Sequence, residues 1–245
     1  MEQSTSNRLE YHHCRRIFHL LPGLVIIAVS YIIPPFPQGA ALLAAITARL
    51  YYMDVRRAND RDYDIWYLRQ YGQLLRAEER GEWILVDNAS DQYKRKFYPI
   101  LPGAFYWLLG TTLISVMFAP DVARTALLVL SVSDPFAAYM GVLFSNNHCN
   151  ITWSRLRNIV TRGEKGRRSG STVVGSMACA FATLLCTYVY FPNRSAPTLA
   201  MSSRLVVSAF TAIVEAMTGR WMVLPIDDNL LIPLIVGGLV TYLME

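Results

Sequence analysis

Crossing a hydrocarbon layer about 30 Å thick takes roughly 20 consecutive apolar residues. The sequence repeats windows of that kind seven times, near residues 17–34, 37–53, 99–119, 122–144, 172–191, 199–218 and 229–244. The second and sixth each carry an arginine near one end, Arg49 and Arg204, which is expected to snorkel to the interface. With 53% hydrophobic and 17% charged residues and a mean hydropathy of +0.27, the chain is too apolar for an ordinary soluble domain of its length. The expectation is an all-α polytopic membrane protein: one domain over residues 1–245, built as a bundle of about seven transmembrane helices.

Charge placement tests that layout. If the N-terminus is cytoplasmic, 20 of the 23 lysines and arginines fall on the cytoplasmic side or at its interface, since only Arg124, Arg194 and Arg204 fall opposite. The 54–98 loop supplies nine of those 20 but balances them with nine acids, and long loops weigh less in this rule. The net charge of +5 therefore reports topology and affinity for anionic lipid rather than nucleic-acid binding. The polar and then basic start, MEQSTSNRLEYHHCRRIFH, lacks the pattern of a cleavable leader, so the N-terminus is expected to be retained. Cys14, Cys149, Cys179 and Cys186 have no metal-ribbon spacing and read as free thiols. The 54–98 loop has helical stretches without a sustained apolar face, which predicts a solvated helical hairpin on the membrane surface.

Asp134 is the only charge in the apolar run from Leu127 to Phe144. An acid there costs roughly 2.5–3.5 kcal/mol and persists where it has a partner or a task. Asp134, Ala138 and Gly141 stand at i, i+4 and i+7 and share a helical face, so small residues beside the acid admit a neighbouring helix or a ligand. Under the cytoplasmic-N-terminus layout, four unusual features reach the same side: Arg15, Arg16 and His19 at the start, the end of the Asp134 span, a basic loop, and an acidic pair before the last span. Convergence of distant segments points to a site.

The basic loop, at 145–171, sets Arg155, Arg157, Arg162, Lys165, Arg167 and Arg168 against one acid, Glu164. It leads through Gly and Ser into a helix expected to begin near Ser171 or Thr172, with Gly175 and Ser176 in its first turns. Helix N–H groups and flanking cations favour an anion, so the segment reads as a phosphate-binding element; a topogenic loop explains its charge but not its helix start. Asp227, Asp228 and Asn229 precede the last span. Adjacent carboxylates suit a shared divalent cation, and the same residue types suit a helix cap; the two uses are compatible. Glu215, the other acid deep in a span, has either a structural partner in Arg220 or a place in the site. His12, His13 and His148 read as solvated, whereas His19 suits a phosphate or lipid head-group contact.

RRIFHLLPG at the start, SVSDPFAAYMG, STVVGS, Glu215 and IDDNLLIP, in that order, resemble the CTP-dependent lipid kinases: dolichol kinase, phytol kinase and the yeast-type diacylglycerol kinase. The resemblance runs from Arg15 to Leu234 and implies transfer of the γ-phosphoryl group of CTP to a lipid hydroxyl with a divalent cation, Mg2+ or Ca2+. It also implies an endoplasmic reticulum or nuclear membrane location with a cytoplasmic site. By this resemblance Asp134, Asp227 and Asp228 are catalytic and metal-binding, and Arg15, Arg16, Gly141, Lys165, Arg167, Arg168, Ser171, Thr172, Gly175, Ser176 and Asn229 contact the nucleotide. One departure is Ser171, which stands where many members have lysine, so Arg167 or Arg168 would supply that charge.

The chemistry is compatible, because phosphoryl transfer asks mainly for alignment and charge neutralisation. No P-loop and no HRD or DFG set occurs, which argues against a soluble-kinase mechanism. Diacylglycerol leads as acceptor on chain length, with polyprenol and phytol open. A phosphatidate cytidylyltransferase is the neighbouring alternative, and a transporter or scramblase for a phosphorylated lipid is the alternative outside the enzymes.

Overall fold

The computed structural model describes residues 17, 19–32, 36–72, 75, 83–87, 92–95, 101–144, 173–191, 199–217 and 227–244. Among them are eight helices and one β-hairpin. In chain order these are α1 (His19–Ile32), α2 (Phe36–Asn59), α3 (Arg61–Tyr71), β1 (Trp83–Asp87), β2 (Gln92–Arg95), α4 (Gly103–Met117), α5 (Pro120–Leu143), α6 (Val173–Tyr190), α7 (Met201–Met217) and α8 (Asp228–Met244). Each of the seven apolar windows holds one helix. α6 is long and apolar enough to cross a membrane by length and composition, and α1, α4 and α8 are shorter apolar helices.

α5 and α8 form the middle of the bundle. α5 packs against α4, α6 and α8, and α8 against α4, α5 and α7. Their contact surface is lined by Ala126, Val129, Leu130, Ile232, Val236 and Val240, all of them buried. Close approach depends on small residues at the crossings. A Cβ on Gly110 of α4 would meet the Asn229 carbonyl oxygen of α8 at 2.6 Å. That oxygen is the one that Pro233, lacking an N–H, leaves without its helical donor four residues on. Most interior hydroxyls are satisfied within their own helix, as where Thr47, Thr111, Ser208 and Thr211 donate to the carbonyl four residues back. They can therefore sit at helix contacts without a cost in unmade bonds.

One end of the bundle is closed by a polar clasp. Arg124 of α5 donates to the Ser30 hydroxyl (2.8 Å) and carbonyl (2.7 Å) of α1 and to Asp121 (3.0 Å), and its guanidinium lies 4.0 Å from the centre of the Tyr31 ring. Tyr190, ending α6, bonds both Tyr31 (2.9 Å) and Asp121 (3.1 Å). At the same end Arg204 is fully buried and donates to the Leu199 and Phe191 carbonyls. This corrects the expectation that it snorkels outward: its charge turns inward to the Phe191 carbonyl just past the end of α6, where helix carbonyls lack a helical donor, and to the Leu199 carbonyl ahead of α7.

The 54–98 segment departs most from expectation. α2 continues six residues past the predicted window because its charges are paired. Fully buried Arg57 donates to Asp54 (3.0 Å) and to Asp64 of α3 (2.8 Å), and lies 4.4 Å over the Tyr67 ring. α3 starts with an Asp60 side-chain cap on the Tyr63 N–H. It docks through Asp64 and Tyr67 instead of lying solvated. Beyond it the chain forms an antiparallel hairpin, pairing Trp83 with Arg95 and Leu85 with Tyr93, with a register shift between Leu85 and Asp87. The fold is thus helical with one small hairpin added.

Candidate active site

Three carboxylates from three helices meet near the end of the bundle opposite the clasp. Asp134 of α5, Glu215 of α7 and Asp228 of α8 each offer an oxygen, and these oxygens lie within 4.8 Å of one another; all three side chains are half-buried. Local sequence puts them there. Asp134 lies in the helix just before Pro135, Glu215 is in the last turn of α7, and Asp228 is the first residue of α8. Bare charges at such a spacing repel by about 3 kcal/mol per pair at an effective dielectric of about 20. The trio therefore requires a shared proton or a cation. Its all-oxygen donor set and partial exposure fit a hard divalent ion that keeps some water.

Asp227 does not join the group of three. Its carboxylate accepts from the Asn229 backbone N–H (3.0 Å) and side-chain amide, and its carbonyl accepts from Leu230 and Leu231. It also shares a side-chain hydrogen bond with Asp228. The Asp228 carboxylate also accepts from the Asn229 N–H (2.9 Å), so both acids hold the start of α8, and Asp228 alone of the pair also offers an oxygen to Asp134 and Glu215. Asn229 is buried, and its Oδ1 has no hydrogen-bond partner among the described residues.

α6 forms the next wall. Cys179, buried as a free thiol, lies within electrostatic reach of Glu215, Asp134 and Asp228. Gly175 and Ser176, four and three residues before it, share its face one turn nearer the helix start, and both are buried. Directly beside Asp134, the Ser133 and Thr183 hydroxyls bond at 3.0 Å and join α5 to α6. Ala137, not Ala138, is the small buried residue beside the acid; Ala138 is exposed. Gly141 is half-buried two turns beyond Asp134, about 10 Å along the axis.

His19 departs from its expected head-group position. It is buried with its ring edge-on to Trp107, centroids 6.4 Å apart, and forms part of an apolar cavity. Arg15, Arg16, Lys165, Arg167, Arg168, Ser171 and Thr172, together with Arg220 and the rest of the basic loop, lie outside the described residues. What sequence reasoning left undecided was Glu215, whose membership needed the rotation of α7.

Comparison with known proteins gives two relatives. The chain is 24% identical over 200 residues to a CTP-dependent diacylglycerol kinase of Schizosaccharomyces pombe, covering 78% of this chain and 74% of that one. It is 22% identical over 228 residues to an uncharacterized protein of Rickettsia prowazekii, covering 92% of this chain and 91% of that one. No protein-family model matches the chain, and no solved structure does. The similarity gives a weak hint of a lipid kinase and of membrane association.

Proposed function

We propose that this chain is a polytopic membrane enzyme that phosphorylates a lipid alcohol, diacylglycerol first among the candidates, at the expense of CTP. The observation that carries the reading is the meeting of Asp134, Glu215 and Asp228 from three helices. A lone catalytic acid needs no such company, whereas three carboxylates suit a divalent cation, Mg2+ or Ca2+, which would neutralise phosphate charge during transfer. Asp134 orients the attacking hydroxyl, and Asp227 with Asn229 fixes the direction in which Asp228 presents its oxygens. Gly175 and Ser176 at the start of α6 bring backbone N–H groups to the nucleotide side, where Arg15, Arg16, Lys165, Arg167, Arg168, Ser171 and Thr172 complete the triphosphate contacts.

Membrane embedding is supported by the inverted distribution of side chains. Large apolar residues such as Val25, Leu42, Phe181, Val189, Leu205 and Phe210 are exposed on the outer faces, while Ser131, Thr183, Ser208 and Asn229 are inside. Water would oppose that arrangement and hydrocarbon favours it, because close helix contacts in lipid rest on small and polar residues. In this reading the N-terminus, the 54–98 segment and the acids face the cytoplasm, as the distribution of lysine and arginine in the sequence supports.

The decisive assay gives purified protein a panel of lipid alcohols with CTP labelled at either the γ- or the α-phosphate. Label should reach diacylglycerol from the γ position only, and Asp134→Asn should abolish it. Label arriving from the α position would make the enzyme a cytidylyltransferase instead.

A further inference from the structure

α4 separates the acids from an apolar cavity. On one side, Tyr106 is close enough to feel the charge of Asp227, and Gly110 rests on the Asn229 carbonyl. On the other, α1, α2, α3 and the first turns of α4 enclose about 450 Å3. Leu50, Met53, Tyr67, Tyr71, Trp107 and Leu108 supply most of the wall. Besides the phenols of Tyr67 and Tyr71, three lining residues are ionisable: Asp54 is held by Arg57, His19 is packed on Trp107, and Arg49 is exposed.

The volume falls within the usual range for a pocket that takes a whole small ligand. A water-soluble ligand would need several converging polar groups, whereas this wall is chiefly apolar, with the Arg49 guanidinium exposed. Ile46 and Tyr71, both lining residues, are 41% and 40% exposed, so the cavity is reached from the apolar outer surface. The wall is also held firmly, because α3 is tied to α2 by the buried Arg57 pairs. A helix is about 10–12 Å thick with its side chains, so cavity and acids are about one helix width apart, and Pro102 and Gly103 at the start of α4 border the cavity.

We propose that this cavity holds one hydrocarbon chain of the acceptor lipid, whose hydroxyl end passes over the first turn of α4 to Asp134, Glu215 and Asp228. The assignment rests on the lipid-kinase reading of the acids. A chain enters sideways from the bilayer, with Arg49 facing the ester or head-group oxygens at the mouth. Leu108 and Ala104 then act as specificity-determining residues for the chain.

The test uses the full-length protein in phosphatidylcholine vesicles, without nucleotide, and a diacylglycerol bearing a photoactivatable group near the end of one acyl chain. Crosslinks should map to the segments around Leu50–Met53 and Trp107–Leu108 and fall at least 5-fold in Leu108→Trp and in the milder Ala104→Leu, while Asp134→Asn retains them. Crosslinks spread evenly over the outer faces of α6 and α7, indifferent to both cavity variants, would overturn the proposal. In turnover, the two cavity variants should raise KM for a long-chain acceptor about 10-fold and leave KM for CTP unchanged. An active wild type whose acceptor KM ignores both substitutions counts against the cavity, whereas a wild type that transfers nothing from CTP to any lipid counts against the kinase reading itself.

Discussion

Asp134, Glu215 and Asp228 repel one another as bare charges, and that repulsion separates their role from a purely structural one. Neutralising one acid relieves repulsion and removes a ligand together. Glu215→Gln and Asp134→Asn should each lower phosphoryl transfer at least 100-fold and yet, in chelator, raise the unfolding temperature in detergent by a few degrees. A structural ion pair would do the reverse and lose stability. Asp227→Asn should cost less than about 10-fold, because an asparagine oxygen still accepts from the Asn229 N–H. Asp228→Asn should fall with the other two; equal losses at 227 and 228 would make the cap and the ligand one function. Asp134 was legible in the sequence as the only charge in an apolar run. Glu215 was not, since Arg220 offered an equally good local partner. Nor could adjacency tell Asp227 from Asp228: consecutive residues at a helix start point about 100° apart, and only the packing of α8 on α5 and α7 decides which one faces the acids.

The elements stand or fall by a few contacts that cannot yield. Gly110→Ala would drive a methyl group against the Asn229 backbone oxygen, a partner unable to rotate away. The cost should be about 1–3 kcal/mol, read as a lower unfolding midpoint, with activity lost in step because Asn229 adjoins Asp228. The junction of α2 and α3 is equally specific. Arg57→Ala leaves Asp54 and Asp64 buried without their cation, a loss of about 3–5 kcal/mol that should appear as rapid proteolysis within α3; restoring neutrality with Asp54→Asn and Asp64→Asn should recover part of it. Burial foremost, with the charge of Asp54 next, pushes the Tyr67 hydroxyl up to about 12 from an ordinary 10.0. Its neutral form is therefore favoured in the docked state. That contribution is complete below pH 10 and disappears as pH rises from 10 to 12, so protease resistance of α3 should fall across that window in wild type and much less in Tyr67→Phe. The helical windows were readable because their apolar runs exceed those of most soluble elements. The docking of α3 was not, since its buried face is made of aromatic residues and a paired acid. Tyr63, Tyr67 and Tyr71 at four-residue spacing were the available signal. The hairpin too had one, the β-prone run WILV followed by turn-forming residues.

At the scale of the whole molecule the two ends of the bundle are chemically unlike. Among the described residues the clasp end binds its charges internally, with Arg124 and Arg204 committed to Ser30, Asp121 and backbone carbonyls. The other end gathers carboxylates that require a counter-charge, and the proposed topology would bring most lysines and arginines to that side. That asymmetry suits the proposed single-sided lipid kinase, whereas a carrier would need polar groups through the depth of the bundle and a second opening at the clasp. Sidedness can be measured directly. With Cys14 and Cys149 replaced by serine, the remaining Cys179 and Cys186 are buried and should stay unreactive. In sealed microsomes a membrane-impermeant maleimide should then modify Ser90→Cys at once and Ser195→Cys only after detergent opens the vesicles. CTP added outside the same sealed vesicles should support full transfer, sensitive to external chelator. Labelling of both positions from outside would break the seven-span topology, and a requirement for CTP on the inside would place the acids at the wrong face for a cytoplasmic nucleotide.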